Sequence, residues 1–443
     1  MFDIIKFSKK LTLDEVSLHK STFMVRSITS ILLLMVFACN RFPPEDDRFI
    51  ENLMEQNPGQ FADIFNHVDS FEVQIIYTQI NRDQNNQPLF RSFYYNVDSN
   101  RYFYPASTVK LPAILLAMEK LKKLNIPLLD KYKPMLSDSL YAGQVSVRQD
   151  STAENGLPSV AHYARKILVV SDNDAFNRLY EFIGQKDFND KLNEKGYHIR
   201  ILHRLNRFLS PDQNRHTEAV RFIQNDSTIY SQPMLVNADS ILPPEIILKG
   251  KGYMMDDSIV HAPFDFTYKN FFSLTDQQAI LKSVIFPKAV NSKASFDITE
   301  DDRQFILKYM SQLPTETPYP PYYKDTTYHD ANCKFLLFGT DHDPIPDNIR
   351  IFNKIGNAYG FLIDNAYIVD FDNNVEFMLS AVINCNTNHI YNDGEYDYDK
   401  LGYPFMKNIG RIIYQYELKR KRVNKPDLSE FRFTYDLPHS NSQ

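Results

Sequence analysis

Two strand hairpins stand near opposite ends of this 443-residue chain, and that separation constrains the fold more than any other feature. Late in the chain, the apolar runs 360–370 and 375–384 are divided by Asp372-Asn373-Asn374, three turn-forming residues. Early in the chain, Val73, Ile75 and Tyr77 alternate with polar neighbours, which predicts a half-buried strand. Residues 81–88 are rich in turn formers, and 89–95 reads as the returning strand. Between the hairpins, apolar residues recur at helical spacing over 48–65, 107–124, 160–170, 174–183, 273–284 and 299–313. Phe405, Ile409, Ile412 and Tyr416 mark a closing amphipathic helix, and 419–422 reads as its solvated, charged end. Residues 207–270 carry several Pro and Gly and show no dominant period. They read as an insertion that elaborates the surface.

Composition adds exclusions. With 43% hydrophobic and 23% charged residues the chain has ample apolar material for a globular core, and no internal repeat is visible. A net charge of −6 offers no basic field for nucleic acid. Three cysteines cannot build a disulfide framework. One of them, Cys39, closes the apolar run 31–38, which Arg26 precedes. That run is too short for a stable membrane-spanning helix and has the layout of an export signal. Its end, Val36-Phe37-Ala38-Cys39, resembles a bacterial lipoprotein signal, which implies lipidation of Cys39 and a membrane anchor. Asn40 follows, and that resemblance favours the outer membrane, facing the periplasm. Met24-Val25-Arg26 would open a signal of conventional length, so Met24 is the expected start; sequencing the precursor N-terminus tests it. The organisation expected is a signal over 1–39, a tether over 40–47, one domain over 48–425 and a tail over 426–443.

Chemistry concentrates in Ser107-Thr108-Val109-Lys110. A serine hydroxyl becomes a good nucleophile when a neighbouring base takes its proton. On a helix, i and i+3 share a face, so Lys110 can reach Ser107. A lysine is such a base only when burial or nearby positive charge lowers its pKa. The pattern alone is common: Ser17-Leu18-His19-Lys20 also fits, ahead of the signal. Its company is what matters, because Ser171-Asp172-Asn173 and Lys354-Ile355-Gly356 follow in order.

These elements resemble the Ser-x-x-Lys, Ser-Asp-Asn and Lys-Thr-Gly of class A β-lactamases and penicillin-binding proteins. The passage 160–184 resembles that family's helix–Ser-Asp-Asn–helix unit, and 354–364 its inner strand and turn. The resemblance covers most of 48–420 except 207–270. It implies an α/β (α+β) fold of two lobes, an antiparallel sheet flanked by helices and an all-helical lobe, with the active site between them. It implies Ser107 as nucleophile, Lys110 as its activator, Ser171 as a proton bridge between Lys110 and Lys354, and Asn173 as a ligand of the substrate amide. Lys354 would meet the substrate carboxylate, and the backbone N–H groups of Ser107 and Asn357, beside Gly356, would form the oxyanion hole.

Two residues depart from the family pattern. Ile355 stands where a Thr or Ser hydroxyl would bind the substrate carboxylate. Leu202-His203-Arg204-Leu205-Asn206 resembles the Leu-Asp-Arg-x-Glu loop of the class A enzymes, so Asn206 replaces the glutamate that drives deacylation. An asparagine can hold a water without deprotonating it. Glu218 is the nearest substitute base downstream; His203, beside Asn206, could also act as base at neutral pH, but the favoured reading is a loop histidine facing solvent. Asp393, Glu395, Asp397 and Asp399, like His342, read as solvated loop, so no metal and no cofactor are expected. The expected activity is that of a class A β-lactamase-like serine hydrolase acting on a β-lactam or related amide or ester. The alternatives are a D-Ala-D-Ala peptidase-like penicillin-binding protein with a peptidoglycan-like substrate, or a non-hydrolytic acyl-binding sensor.

Overall fold

The structure is a computed structural model that describes residues 48–239 and 241–437. The segments expected to form a signal (1–39, with Cys39) and a tether (40–47) lie outside the described residues. Five strands form one antiparallel sheet: β1 (Gln74–Arg82), β2 (Pro88–Tyr95), β3 (Ile349–Ala358), β4 (Phe361–Asp370) and β5 (Val375–Asn384). Their order is β3-β4-β5-β1-β2, so the two terminal hairpins meet where Gln74 of β1 pairs with Val382 of β5. Among the described residues, the α-helices of seven or more residues are α1 (Phe49–Glu55), α2 (Pro58–Asn66), α3 (Lys110–Leu124), α4 (Val160–Val170), α5 (Asn173–Ile183), α6 (Gln185–Glu194), α7 (Leu274–Ile285), α8 (Glu300–Ser311) and α9 (Tyr403–Lys419). The mixed class and the antiparallel sheet match the expectation.

The sheet is covered on both faces, and this corrects the half-buried strand predicted from alternation at Val73–Tyr77. Ile75 and Tyr77 pack with Ile409 and Ile413 of α9, whereas Thr78 reaches α7, its hydroxyl donating to Gln278 Oε1 at 2.8 Å. A polar side chain survives inside because it finds such a partner. The helix expected over 48–65 is divided into α1 and α2 at Asn57-Pro58, where Pro58 supplies no N–H and disfavours helical geometry at the residue before it. A further helix, α6, begins directly after Gly184 (φ +88), which makes this glycine a corner between helices.

Charge near the C-terminus is also placed differently from the expectation of a solvated end over 419–422. Glu417 is fully buried, accepts the Tyr77 hydroxyl, and is paired with Arg420 and Arg422, whose side chains are 9% and 11% exposed. Only Lys419 and Lys421 face water. The residues beyond 425 belong to the domain: Leu428 and Phe431 are buried, and the Tyr435 hydroxyl meets Ser311 Oγ at 2.9 Å. The insertion contains regular structure as well. Ala219–Gln224 and Ser227–Gln232 form a hairpin that pairs with Met135–Asp138. Strands of two to six residues are too short for a period to stand out in the sequence.

Candidate active site

The sequence places Ser107 just after a strained turn. Ala106 has φ +49, a left-handed conformation unusual for a residue with a side chain, and the short 3₁₀ turn Ala106–Val109 runs directly into α3. On the other side lies Gly356 of β3. A Cβ there would sit 2.8 Å from Pro105 O and 3.1 Å from Ser107 N, so only glycine lets the strand lie this close to the serine backbone. Lys110, on the first turn of α3, is completely buried.

Ser171 closes the other wall. It caps the C-terminus of α4 in the left-handed conformation (φ +62), while Asp172 N-caps α5 through the Ala175 N–H at 2.7 Å. This helix-to-helix corner turns Ser171 toward both lysines. Lys110 Nζ donates to the Ser171 carbonyl, to Asn173 Oδ1 at 2.7 Å and to Ser171 Oγ at 3.3 Å. Lys354 Nζ donates to Ser171 Oγ at 2.7 Å and to Ile355 O at 2.9 Å. Burial, then the neighbouring Lys354 charge, lowers the Lys110 pKa well below its ordinary value. Burial likewise brings Lys354 down to about 8.

Ser107, Ser171, Asn173, Ile355, Asn357 and Asn206 all line one cleft of about 1660 Å³. Asn206 has φ +51 and an exposed side chain. Its loop is held from beneath by α5: Asn177 donates to Leu205 O and accepts from Leu205 N–H, both at 2.9 Å. Arg204 forms a buried pair with Glu181 of α5 and donates to His216 O at 2.7 Å. Removing one partner of such a pair leaves an uncompensated buried charge. Arg204→Met should therefore cost about 3–5 kcal/mol in denaturant-induced unfolding.

Two residues considered as substitute bases are excluded by their surroundings. Glu218 is 2% exposed, accepts from Val145 N–H and pairs with Arg178 Nη1 at 2.8 Å. His203 does not face solvent: its ring stacks on Tyr104 with centroids 6.1 Å apart, and Nδ1 meets Arg204 O at 2.7 Å. Burial lowers its pKa to about 4, so it is neutral at pH 7 and a weak base. Asp397 accepts from the Thr387 hydroxyl and Asp393 from Asn388 Nδ2 at 2.7 Å, interactions of a loop held together internally.

Several cleft residues carry no sequence signal. The end of the insertion folds back into the wall rather than elaborating the surface. Asn270 is fully buried, and its Oδ1 accepts Leu202 N–H at 2.8 Å. Phe264, Lys269, Tyr104 and Tyr359 line the same cleft. Tyr104 and Tyr359 flank the Ser107 and Lys354 motifs and could have been sought there; the stretch 264–270 lies too far along the chain from either.

Residues 59–234 match the Beta-lactamase enzyme family. No curated protein matches the chain. Among solved structures, it is similar to PBP-A at 15% identity and TM-score 0.45, over 86% of this chain and 100% of that one. It is also similar to the β-lactamase from Sphaerobacter thermophilus DSM 20745, at 13% identity and TM-score 0.44, over 82% of this chain and 98% of that one. A third, from Xanthomonas campestris pv. campestris, gives the same four values. The stretch that matches this family contains Ser107, Lys110, Ser171 and Asn173.

Proposed function

We propose that this protein is a class A β-lactamase-like serine hydrolase, acylated on Ser107 by a β-lactam or a related amide or ester. The observation that carries this reading is the Ser171 hydroxyl held between two buried lysines, 3.3 Å from Lys110 Nζ and 2.7 Å from Lys354 Nζ. In the neutral form, Lys110 satisfies the Ser171 carbonyl and Asn173 with its two N–H groups and keeps a lone pair for the Ser107 proton. Ser107 Oγ then bonds to the substrate carbonyl carbon while its proton moves to Lys110 Nζ. The negative charge on the carbonyl oxygen is met by the N–H groups of Ser107 and Asn357. As the C–N bond breaks, the leaving nitrogen takes the Ser171 proton, and Lys110 restores it. Lys354 keeps its charge throughout and orients Ser171.

Release of the acyl group is slow in this reading. Among the described residues, the carboxylates lining the cleft are Asp239 and Asp265, neither of them in the loop 202–207. Asp239 is paired with Lys186. With Asn206 in the loop and His203 uncharged and weakly basic, a water near the ester has no strong base. This favours, as the second reading, a peptidase-like or acyl-sensing role in which the adduct persists.

Mixing the purified domain with a chromogenic cephalosporin, and following colour and intact mass together, tests both parts. A stoichiometric burst with a stable adduct is expected. Sustained turnover would overturn slow deacylation, and no adduct would overturn acylation by a β-lactam. An adduct retained in Ser107→Ala would overturn the nucleophile.

A further inference from the structure

Lys269 is a cation in the cleft that the proposed chemistry leaves without a task. Its ammonium stands 5.7 Å from the Phe264 ring centre and 5.8 Å from that of Tyr359. No carboxylate among the described residues pairs with it. The side chain is half-buried, and its backbone is fixed because Lys269 N–H donates to Phe266 O at 2.9 Å. The next residue, Asn270, locks the segment to the 202–206 loop and accepts the Tyr102 hydroxyl at 3.1 Å. Tyr359 is equally fixed, in a turn with φ +54, edge-on to Tyr104 at 4.9 Å and 5.6 Å from Phe264. A pre-positioned ammonium on aromatic faces, partly shielded from water, attracts an anion more strongly than a free surface lysine does.

Its place along β3 says which part of a substrate it meets. Gly356 abuts the Ser107 backbone, Lys354 lies two residues before it, and Tyr359 lies three residues after it. Tyr359 follows Ala358, the last residue of β3, so Lys269, against the Tyr359 ring, stands past the C-terminal end of that strand, on the side away from Lys354. The cleft, at about 1660 Å³, exceeds the usual size of a small-ligand site and leaves room for an extended acyl group.

We propose that Lys269 is the anion-recognising residue of an acyl-side subsite, selecting substrates whose extended acyl chain ends in a carboxylate. The aromatic walls cover the methylenes of that chain and the ammonium receives its end. The proposal rests on acylation at Ser107.

Two penicillins with acyl side chains of equal length, adipoyl and hexanoyl, differ in one terminal carboxylate and test it. The wild type should be acylated about tenfold faster by the adipoyl compound, a preference that shrinks as salt rises. In Lys269→Met the ratio of the two rates should fall to about one, and Lys269→Arg should restore it. Equal rates in the wild type, or a preference that survives in Lys269→Met, would overturn the subsite. A second measurement needs no acylation: adipamate and hexanamide are titrated into Ser107→Ala by calorimetry. Saturable binding of adipamate alone, lost when Lys269→Met is added, supports the subsite, and its absence overturns it. Adipamate binding to a protein that neither penicillin acylates would overturn the proposed function and leave the subsite standing.

Discussion

A chain carrying Lys110→Met is expected to be acylated about a thousandfold more slowly than the wild type, the range lost when a general base is removed. Methionine fills nearly the same volume, so the loss would report chemistry rather than collapse of the helix start. The wild-type lysine is completely buried, and burial together with the Lys354 charge holds its pKa far below the usual value. Its neutral form therefore predominates at a lower pH than for a surface lysine. Acylation should rise with pH as Lys110 loses its proton, then fall above about pH 8, where Lys354 loses its own. Single-turnover mass spectrometry across pH would read both limbs. The acid limb should disappear in Lys110→Met and the alkaline limb should remain. A rate within tenfold of wild type would remove Lys110 from the role of base.

Asn206→Glu should convert a stalled adduct into turnover, raising deacylation by about a hundredfold. Asn206 lines the cleft with an exposed side chain, and its loop is fastened beneath by Asn177 and Arg204 rather than by Asn206 itself. A carboxylate there would gain a basic oxygen without breaking the loop's anchors. The cost is local: φ is +51, which asparagine tolerates better than glutamate, so the variant should lose about 1 kcal/mol of stability. Continuous colour release from a chromogenic cephalosporin, beside the disappearance of the adduct mass, would show the gain. An adduct as long-lived as that of the wild type would mean that a water for deacylation does not bind at this position.

Much of the site was legible because its chemistry is local. Ser107 and Lys110 are one helical turn apart, and Ser171 and Asn173 flank a helix junction marked by an apolar run and an N-capping aspartate. Lys354 and Gly356 lie on β3, the first of three consecutive strands. What escaped depends on partners distant in the chain. Nothing near His203 announces that Tyr104 stacks on it or that Asn270 seals it, so it read as solvated. Arg420 and Arg422 sit in a charged run, and only Glu417 of α9 and Tyr77 of β1, meeting between helix and sheet, draw them inward. The insertion's return into the cleft hangs on hydrogen bonds that Asn270 accepts from Leu202 and Tyr102, residues 68 and 168 positions away.

By itself, then, the sequence determined which reacting groups exist, their order, and the local elements that present them, since spacing of three or four residues is settled within a helical turn. The tertiary structure decided which groups are desolvated. Lys110 becomes a candidate base, His203 a poor one and Glu218 an internal ion-pair partner because segments far apart in the chain exclude water from each. A pKa follows that exclusion, and residue identity alone does not set it.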